Sequence, residues 1–153
     1  MFEGLFLART LAAVDSALRA AAVATERPLA VVGNVRLGRA MAERRHHVLI
    51  IANDQKALRR LKRGAVVCGD LGALPLADRT LGALIGLGAG GRDDWEPLLA
   101  HWSRTVVDGG ALVLVDRAPG TEMSRRALCA GLGEIQQRSA GRVVVTSGRV
   151  TAM

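Results

Sequence analysis

The sequence predicts an α/β domain of three layers: a mostly parallel sheet of seven strands, helices on both of its faces, and a C-terminal antiparallel hairpin. Three observations carry that prediction. Residues 28–53 read as one β-α-β unit, with an apolar strand Leu29–Val32, a turn at Gly33-Asn34, a helix to about Arg45 and a second strand Val48–Ile51. Later strands are short and apolar throughout, as expected where both faces are covered, and helical stretches separate them. Near the C-terminus two strands follow one another directly, Glu134–Arg138 and Arg142–Thr146, turned by Ser139-Ala140-Gly141.

Taken in order, residues 1–27 form an N-terminal helical segment and residues 28–153 the α/β domain, with no internal repeat or linker. Residues 4–25 are rich in Ala and Leu, and Leu7, Leu11, Val14 and Leu18 recur at helical spacing to face the sheet. Phe2, Phe6 and Ala13 lie roughly opposite, so this helix has either a half-buried end or a second apolar side that meets a protein partner or another copy of the chain. Pro28 is the expected stop. After the β-α-β unit, Asp54 caps a helix to Lys62, Gly64 ends it, and Ala65–Cys68 is the third strand. Strand four follows Gly82 and ends at about Ile85. Gly86-Leu-Gly88-Ala-Gly90-Gly91-Arg92 then reads as a flexible connector, the alternative being an anion cradle helped by Arg92. Asp93 or Asp94 caps a helix from Trp95 to Val106 whose Leu98, Leu99, Trp102 and Val106 belong to the core. Asp108-Gly109-Gly110 turns into strand Ala111–Val115, and Thr121–Ala130 is the last helix.

Length and composition exclude several classes of function. At 153 residues, half of them apolar and 23% charged, the chain is a globular domain with a full core. Aromatics make up 3% with no Tyr, which excludes a stacking platform for single-stranded nucleic acid. The net charge of +7 is almost all arginine, the usage of a GC-rich bacterial genome. These arginines are scattered, the tightest cluster being Arg59, Arg60, Lys62 and Arg63, so solvated charge is favoured over a dedicated nucleic-acid face. Cys68 and Cys129 read as buried free thiols. His46 and His47 diverge at a helix–strand junction and His101 stands alone, so no metal site is expected. No apolar run approaches the roughly 18 residues of a membrane span, and no secretory leader pattern opens the chain, so the expected location is cytoplasmic.

Two stretches resemble the class I S-adenosylmethionine-dependent methyltransferases, whose Rossmann-like fold agrees with the reading above. Anchored on Ala42-Glu43-Arg44-Arg45-His46-His47-Val48, the β-α-β unit matches the family's first motif, a strand with an acidic residue, Gly-x-Gly-x-Gly, a helix and a second strand ending in an acid. Gly33 falls on the first motif glycine. Val35 and Leu37 fall on the second and third, Val31 on the acidic strand position, and Ala52 on the acid that holds the ribose hydroxyls, so one of five positions is kept. Val35 and Leu37 would place side-chain volume where the cofactor lies, and Ala52 offers no acceptor. Asn53 or Asp54 could substitute for it, although Asp54 fits a helix cap better. Gly69-Asp70-Leu71-Gly-Ala-Leu74-Pro75 resembles the stretch in which an Asp accepts from the adenine amino group and the next residue packs on the ring. Asp70 and Leu71 match those roles, the alternative being that Asp70 caps a turn.

The resemblance therefore implies a fold without its chemistry. Sequence favours a pseudoenzyme: a domain with no catalytic residue and no expected cofactor, acting as an interaction or scaffold module with a protein partner or as a homo-oligomer, in part through Phe2 and Phe6. Should S-adenosylmethionine bind, Gly33, Asp70 and Leu71 are the cofactor-binding residues, and the chain is an active methyltransferase. A basic module touching nucleic acid is the third reading.

Overall fold

The computed structural model describes residues 2–23, 26–45, 47–53, 56, 59, 65–68, 70–117 and 119–151, with 2–6 and 65–68 described as backbone only. Helix α1 (Phe2–Ala20) precedes β1 (Leu29–Val32), α2 (Val35–Arg44), β2 (Val48–Ala52), β3 (Ala65–Cys68) and β4 (Leu81–Leu87). Then come a single 3-10 turn (Ala89–Gly91), α3 (Trp95–Thr105), β5 (Val106–Asp116), α4 (Gly120–Cys129), β6 (Gly133–Ala140) and β7 (Val143–Arg149). The strands form one seven-stranded sheet in the order β3-β2-β1-β4-β5-β7-β6. Pairings from β3 through β5 are parallel, and β7 pairs antiparallel with both β5 and β6. The expected three-layer sheet with its C-terminal hairpin is what the chain forms.

Strand alternation divides the interior into two cores. Leu29 and Val31 of β1, Ile50 of β2 and Ile85 of β4 face α1 and α2, where they meet Val14, Leu18, Leu37 and Met41. Ala30, Val32, Ile51 and Leu84 face α3 and α4, where they meet Leu98, Leu99, Trp102, Met123 and Ala127. The spacing of α3 from the sheet is set at Gly86, where a Cβ would lie 2.1 Å from the Trp102 ring. Trp102 is buried and fills the gap that the missing side chain leaves.

Several expectations are corrected. Helix α1 stops at Ala20, not at 25, and Pro28 is not what ends it. The Val23 N–H donates to the Leu18 carbonyl and the Ala22 N–H to that of Arg19, a Schellman closure with Ala22 in the left-handed region (φ 51°). Ala13 is buried with the core face of α1, so it is not part of a second apolar side. The side chains of Phe2 and Phe6 lie outside the described residues, as do most of the helix expected over Asp54–Lys62, Gly64 and the thiol of Cys68. Cys129 is exposed, not buried, because it closes α4 on the solvent side. Val106 is core, but it begins β5 rather than ending α3.

Asp108-Gly109-Gly110 is not a turn before β5 but a bulge inside it. Leu81 pairs with Val106 and Ala83 with Ala111, so β5 carries the extra residues. They stay in the strand because Gly109 N–H donates to Val150 O and Val150 N–H to Gly110 O, both at 2.8 Å. The hairpin turn is Gly141-Arg142, since Ser139 and Ala140 pair with Val144 and Val143.

Helix α1 is a structural part of the domain. It lies over β5, β7 and β6 and beside α2. Asp15 receives Arg44 at 3.0 Å and Arg45 at 3.7 Å, the Arg138 Nε–H donates to Ser16 Oγ at 3.1 Å, and Arg149 donates to the Ala21 carbonyl at 3.4 Å.

Two stability measurements check these statements. Ala22→Gly relieves a left-handed strain of about 1–2 kcal/mol against about 0.5–1 kcal/mol of added chain entropy, so urea unfolding should show a gain of up to about 1 kcal/mol. Gly86→Ala forces the Trp102 ring off the sheet and should cost about 1–3 kcal/mol or more in the same assay.

Candidate functional site

The chain steps from β1 to β2 and β3 on one side, then returns to add β4 and β5 on the other. The order therefore reverses between β1 and β4, the point at which open α/β sheets place ligands beyond the strand carboxyl ends. Five segments arrive at this edge: Gly33-Asn34, Ala52-Asn53, Asp70-Leu71, Gly88–Gly91 and Asp116.

Gly33 has φ 97°, and its N–H donates to the Ile51 carbonyl at 2.9 Å. A Cβ on it would stand 3.1 Å from the Leu87 carbonyl oxygen and 3.7 Å from Leu71 Cδ1, so β4 and the 70–74 loop both abut this glycine. Asn34 caps α2, its Oδ1 accepting from Leu37 N–H at 2.9 Å. Val35 then starts the helix half-buried. Leu37 does not stand in the crevice as the sequence suggested. With Gly38 and Met41 it is on the core-facing side of α2, because positions three and four apart share a face. Ala52 is buried at the end of β2 and Asn53 is exposed. Asp54 lies outside the described residues.

The structure brings Leu71 to Gly33 and sets Asp70 beside it in a tight turn. Asp70 Oδ1 accepts from Gly72 N–H at 2.9 Å, and its carbonyl from Ala73 N–H at 3.1 Å, so Asp70 does cap a turn. Two successive residues of α3 pin this loop. The Trp102 indole N–H donates to the Leu71 carbonyl, and Leu74 N–H donates to His101 Nε2, each at 2.8 Å. His101 thus has a structural partner that no sequence feature announced, and its Nε2 is the unprotonated nitrogen. Arg92 holds Asp94 through two bonds of 2.8 Å. Asp94 is the N-cap of α3 by position, yet its carboxylate is on Arg92 and not on the helix. That bond keeps the Asp94 carboxyl below its ordinary range and raises Arg92, with the Asp70 charge adding to the latter.

The glycine-rich segment is not a loose connector. Gly86 and Leu87 belong to β4, and the 3-10 turn after them is held from both sides. Gly90 N–H donates to the Asp116 carboxylate at the end of β5. From α4, Arg126 donates to the carbonyls of Ala89 and Gly90 at 3.1 and 3.2 Å. The same guanidinium meets Glu122 at 2.9 Å and lies 5.0 Å from the centre of the Trp95 ring, beside Arg125 at 5.7 Å. Trp95 is therefore half-covered by cations. Hydrogen bonds from Arg125 and then Arg126 pull the Glu122 carboxyl down from 4.5 to about 2. Asp116, Glu122 and Arg126 were missed from sequence because they come from other elements; the one local sign was an acid spaced three and four residues from two arginines.

Among the described residues, no group of three His, Cys, Asp or Glu side chains is placed to hold a metal ion. Among the described residues the edge offers the Asp70 carboxylate and an apolar wall from Leu71 and Leu87.

The fold is that of the class I S-adenosylmethionine-dependent methyltransferases. A methyltransferase from Aquifex aeolicus superposes with a TM-score of 0.72 at 12% identity, over 90% of this chain and 89% of that one. One from Thermotoga maritima gives 0.70 at 18% identity, over 98% and 94%. A third neighbour comes from the complex between the Haloferax volcanii Trm112 methyltransferase activator and a protein taken to be a methyltransferase, with a TM-score of 0.73 at 12% identity, over 92% and 89%. No protein-family model matches the chain, and neither does any curated protein sequence.

The Arg126 clamp carries a pH signature. A depressed carboxyl contributes stability that is present above its ordinary 4.5 and lost as pH falls toward about 2. In Arg126→Met, carboxyl titration by NMR should show Glu122 rising back toward 4.5, although Arg125 remains.

Proposed function

We propose that this chain is a methyltransferase-like domain that no longer binds S-adenosylmethionine and works as a binding module within a larger assembly. What carries the reading is the contact at the switch point: Gly33 abuts the Leu87 carbonyl and the Leu71 side chain, and the buried residue at the end of β2 is Ala52. In the methyltransferase family a carboxylate at that place accepts from two ribose hydroxyls. Charge-assisted bonds contribute about 1.5–3 kcal/mol each, so their loss weakens a cofactor by about a hundredfold or more. Methyl transfer depends chiefly on holding the cofactor in line with its acceptor, and a crevice that does not hold it has no activity.

A protein partner or a second copy is the expected occupant of the remaining surface. The neighbour found with the Trm112 activator supports a protein partner for a fold of this kind. Leu11, Ala13, Val14, Ala17 and Leu18 of α1 belong to the domain's own core, and Phe2 and Phe6 are the residues of that helix assigned to a partner in this reading.

One observation favours the other reading, an active methyltransferase. The loop bearing Asp70 and Leu71 is pinned at both ends by Trp102 and His101, as an adenine platform would need to be. Titration calorimetry decides between them. The expected result is no saturable heat with S-adenosylmethionine or its demethylated product up to millimolar concentration. A micromolar Kd that Asp70→Asn weakens at least tenfold would establish the active reading and remove ours.

A further inference from the structure

We infer that the outer edge of β6 is an interface between two copies of this chain, which pair antiparallel through β6 about a two-fold axis at Gln136. Strand β6 (Gly133–Ala140) ends the seven-stranded sheet, and among the described residues no strand pairs with its outer side. It is eight residues long and holds neither Lys nor Pro, two residues by which edge strands ordinarily turn other strands away. Helices α1 and α4 lie over β6 from the two faces of the sheet, so the axis continues all three layers into the second copy. The bulge at Glu134-Ile135 keeps the regular edge short, which leaves the choice of partner to side chains.

Three side chains make this edge complementary to itself. The half-buried Arg138 guanidinium donates to two neutral groups, Ser16 Oγ at 3.1 Å and Gln136 Oε1 at 3.0 Å. Its Nη1 is buried and has no hydrogen-bond partner among the described residues. Glu134 is on the same face of β6, because the Arg149 beside it reaches α1 as Arg138 does. The Glu134 side chain is 68% exposed, and although its Oε2 stands 2.9 Å from Arg149 Nε, that N–H makes no hydrogen bond. An axis at Arg138 would set two guanidinia against each other. An axis at Gln136 instead sets Glu134 of each copy opposite Arg138 of the other, since opposed residues lie equally far on either side of the axis. The third side chain is Leu128, 65% exposed and the one large apolar side chain exposed among the described residues. On α4, Met123 and Ala127 face the core while Glu122 and Arg126 turn toward Trp95 of α3. Leu128, one residue past Ala127, comes out on the flank away from α3, which is the β6 side. The interface makes no use of the crevice or of Phe2 and Phe6, and it holds for an active enzyme equally.

Sedimentation equilibrium of the full chain, from micromolar to millimolar concentration, tests the interface. A short ladder with few apolar contacts belongs to the weak class of interfaces, so dimerisation should appear at tens to hundreds of micromolar. Glu134→Arg and Arg138→Glu should each weaken it about tenfold by setting like charges opposite one another, and the double exchange should restore it. Leu128→Asp, at an exposed position, should also weaken it. Register is read by mild oxidation in a Cys129→Ser background. Gln136→Cys on the axis lies within reach of its counterpart and should give a disulfide-linked dimer, whereas Ser139→Cys should not. Circular dichroism confirms that each variant is folded. The proposal is overturned by a chain that stays monomeric at millimolar concentration, which would leave the edge to a strand of another protein. It is equally overturned by dimerisation that Leu128→Asp and both charge reversals leave unchanged, or by equal cross-linking at positions 136 and 139.

Discussion

The Trp102 ring rests on β4 where Gly86 has no side chain, and the rest of the carboxyl edge depends on that contact. It fixes how far α3 stands from the centre of the sheet. It also fixes where α3 presents its two pins, because the indole N–H and His101 hold the loop of residues 71–74 from adjacent positions on one helix. The loop in turn delivers Leu71 to Gly33. A change of one side chain in a central strand is therefore transmitted to the crevice through rigid packing, since a close-packed interior has no slack to absorb it.

Around this point the domain has the scaffold of a methyl-transfer fold. Parallel strands, the switch point and the glycine with positive φ are present. Backbone geometry of this kind is shared by many chemistries, whereas activity resides in a few side chains at the edge. At this edge stand Leu71 and Leu87 beside Gly33, and the Asp70 carboxylate accepts from its own turn. The loop after β4 is likewise committed internally, clasped between Asp116 and Arg126. Such a loop is rigid where substrate-gripping loops commonly move.

Arginine does two different jobs in this protein. On α4 and β7 it is structural: Arg126 satisfies two carbonyls of a tight turn, and Arg149 reaches a carbonyl at the end of α1. These guanidinia are fixed by planar, multiple bonds that a lysine would not reproduce. On α2 the exposed Arg39 and Arg44 instead form surface ion pairs, with Glu43 and with Asp15 of α1.

By itself the sequence determined the architecture: strand order of apolar runs, the β-α-β unit, the count of seven strands and the C-terminal hairpin all follow from local periodicity and turn residues. It also marked Gly33, Asp70 and Leu71 as neighbours of one edge, by resemblance. Errors clustered where local rules were overridden by distant partners. Gly86, Gly109 and Gly110 read as turn residues but are in strands, because a tryptophan ring and the chain after β7 fill the space beside them. The end of α1 was misplaced because an alanine took the left-handed cap that glycine usually supplies. Only the tertiary structure decided that Leu37 belongs to the core and that His101 and Arg126 are pins. Contacts between residues some thirty positions apart are set by which sheet face each helix covers, and no window of sequence contains that information.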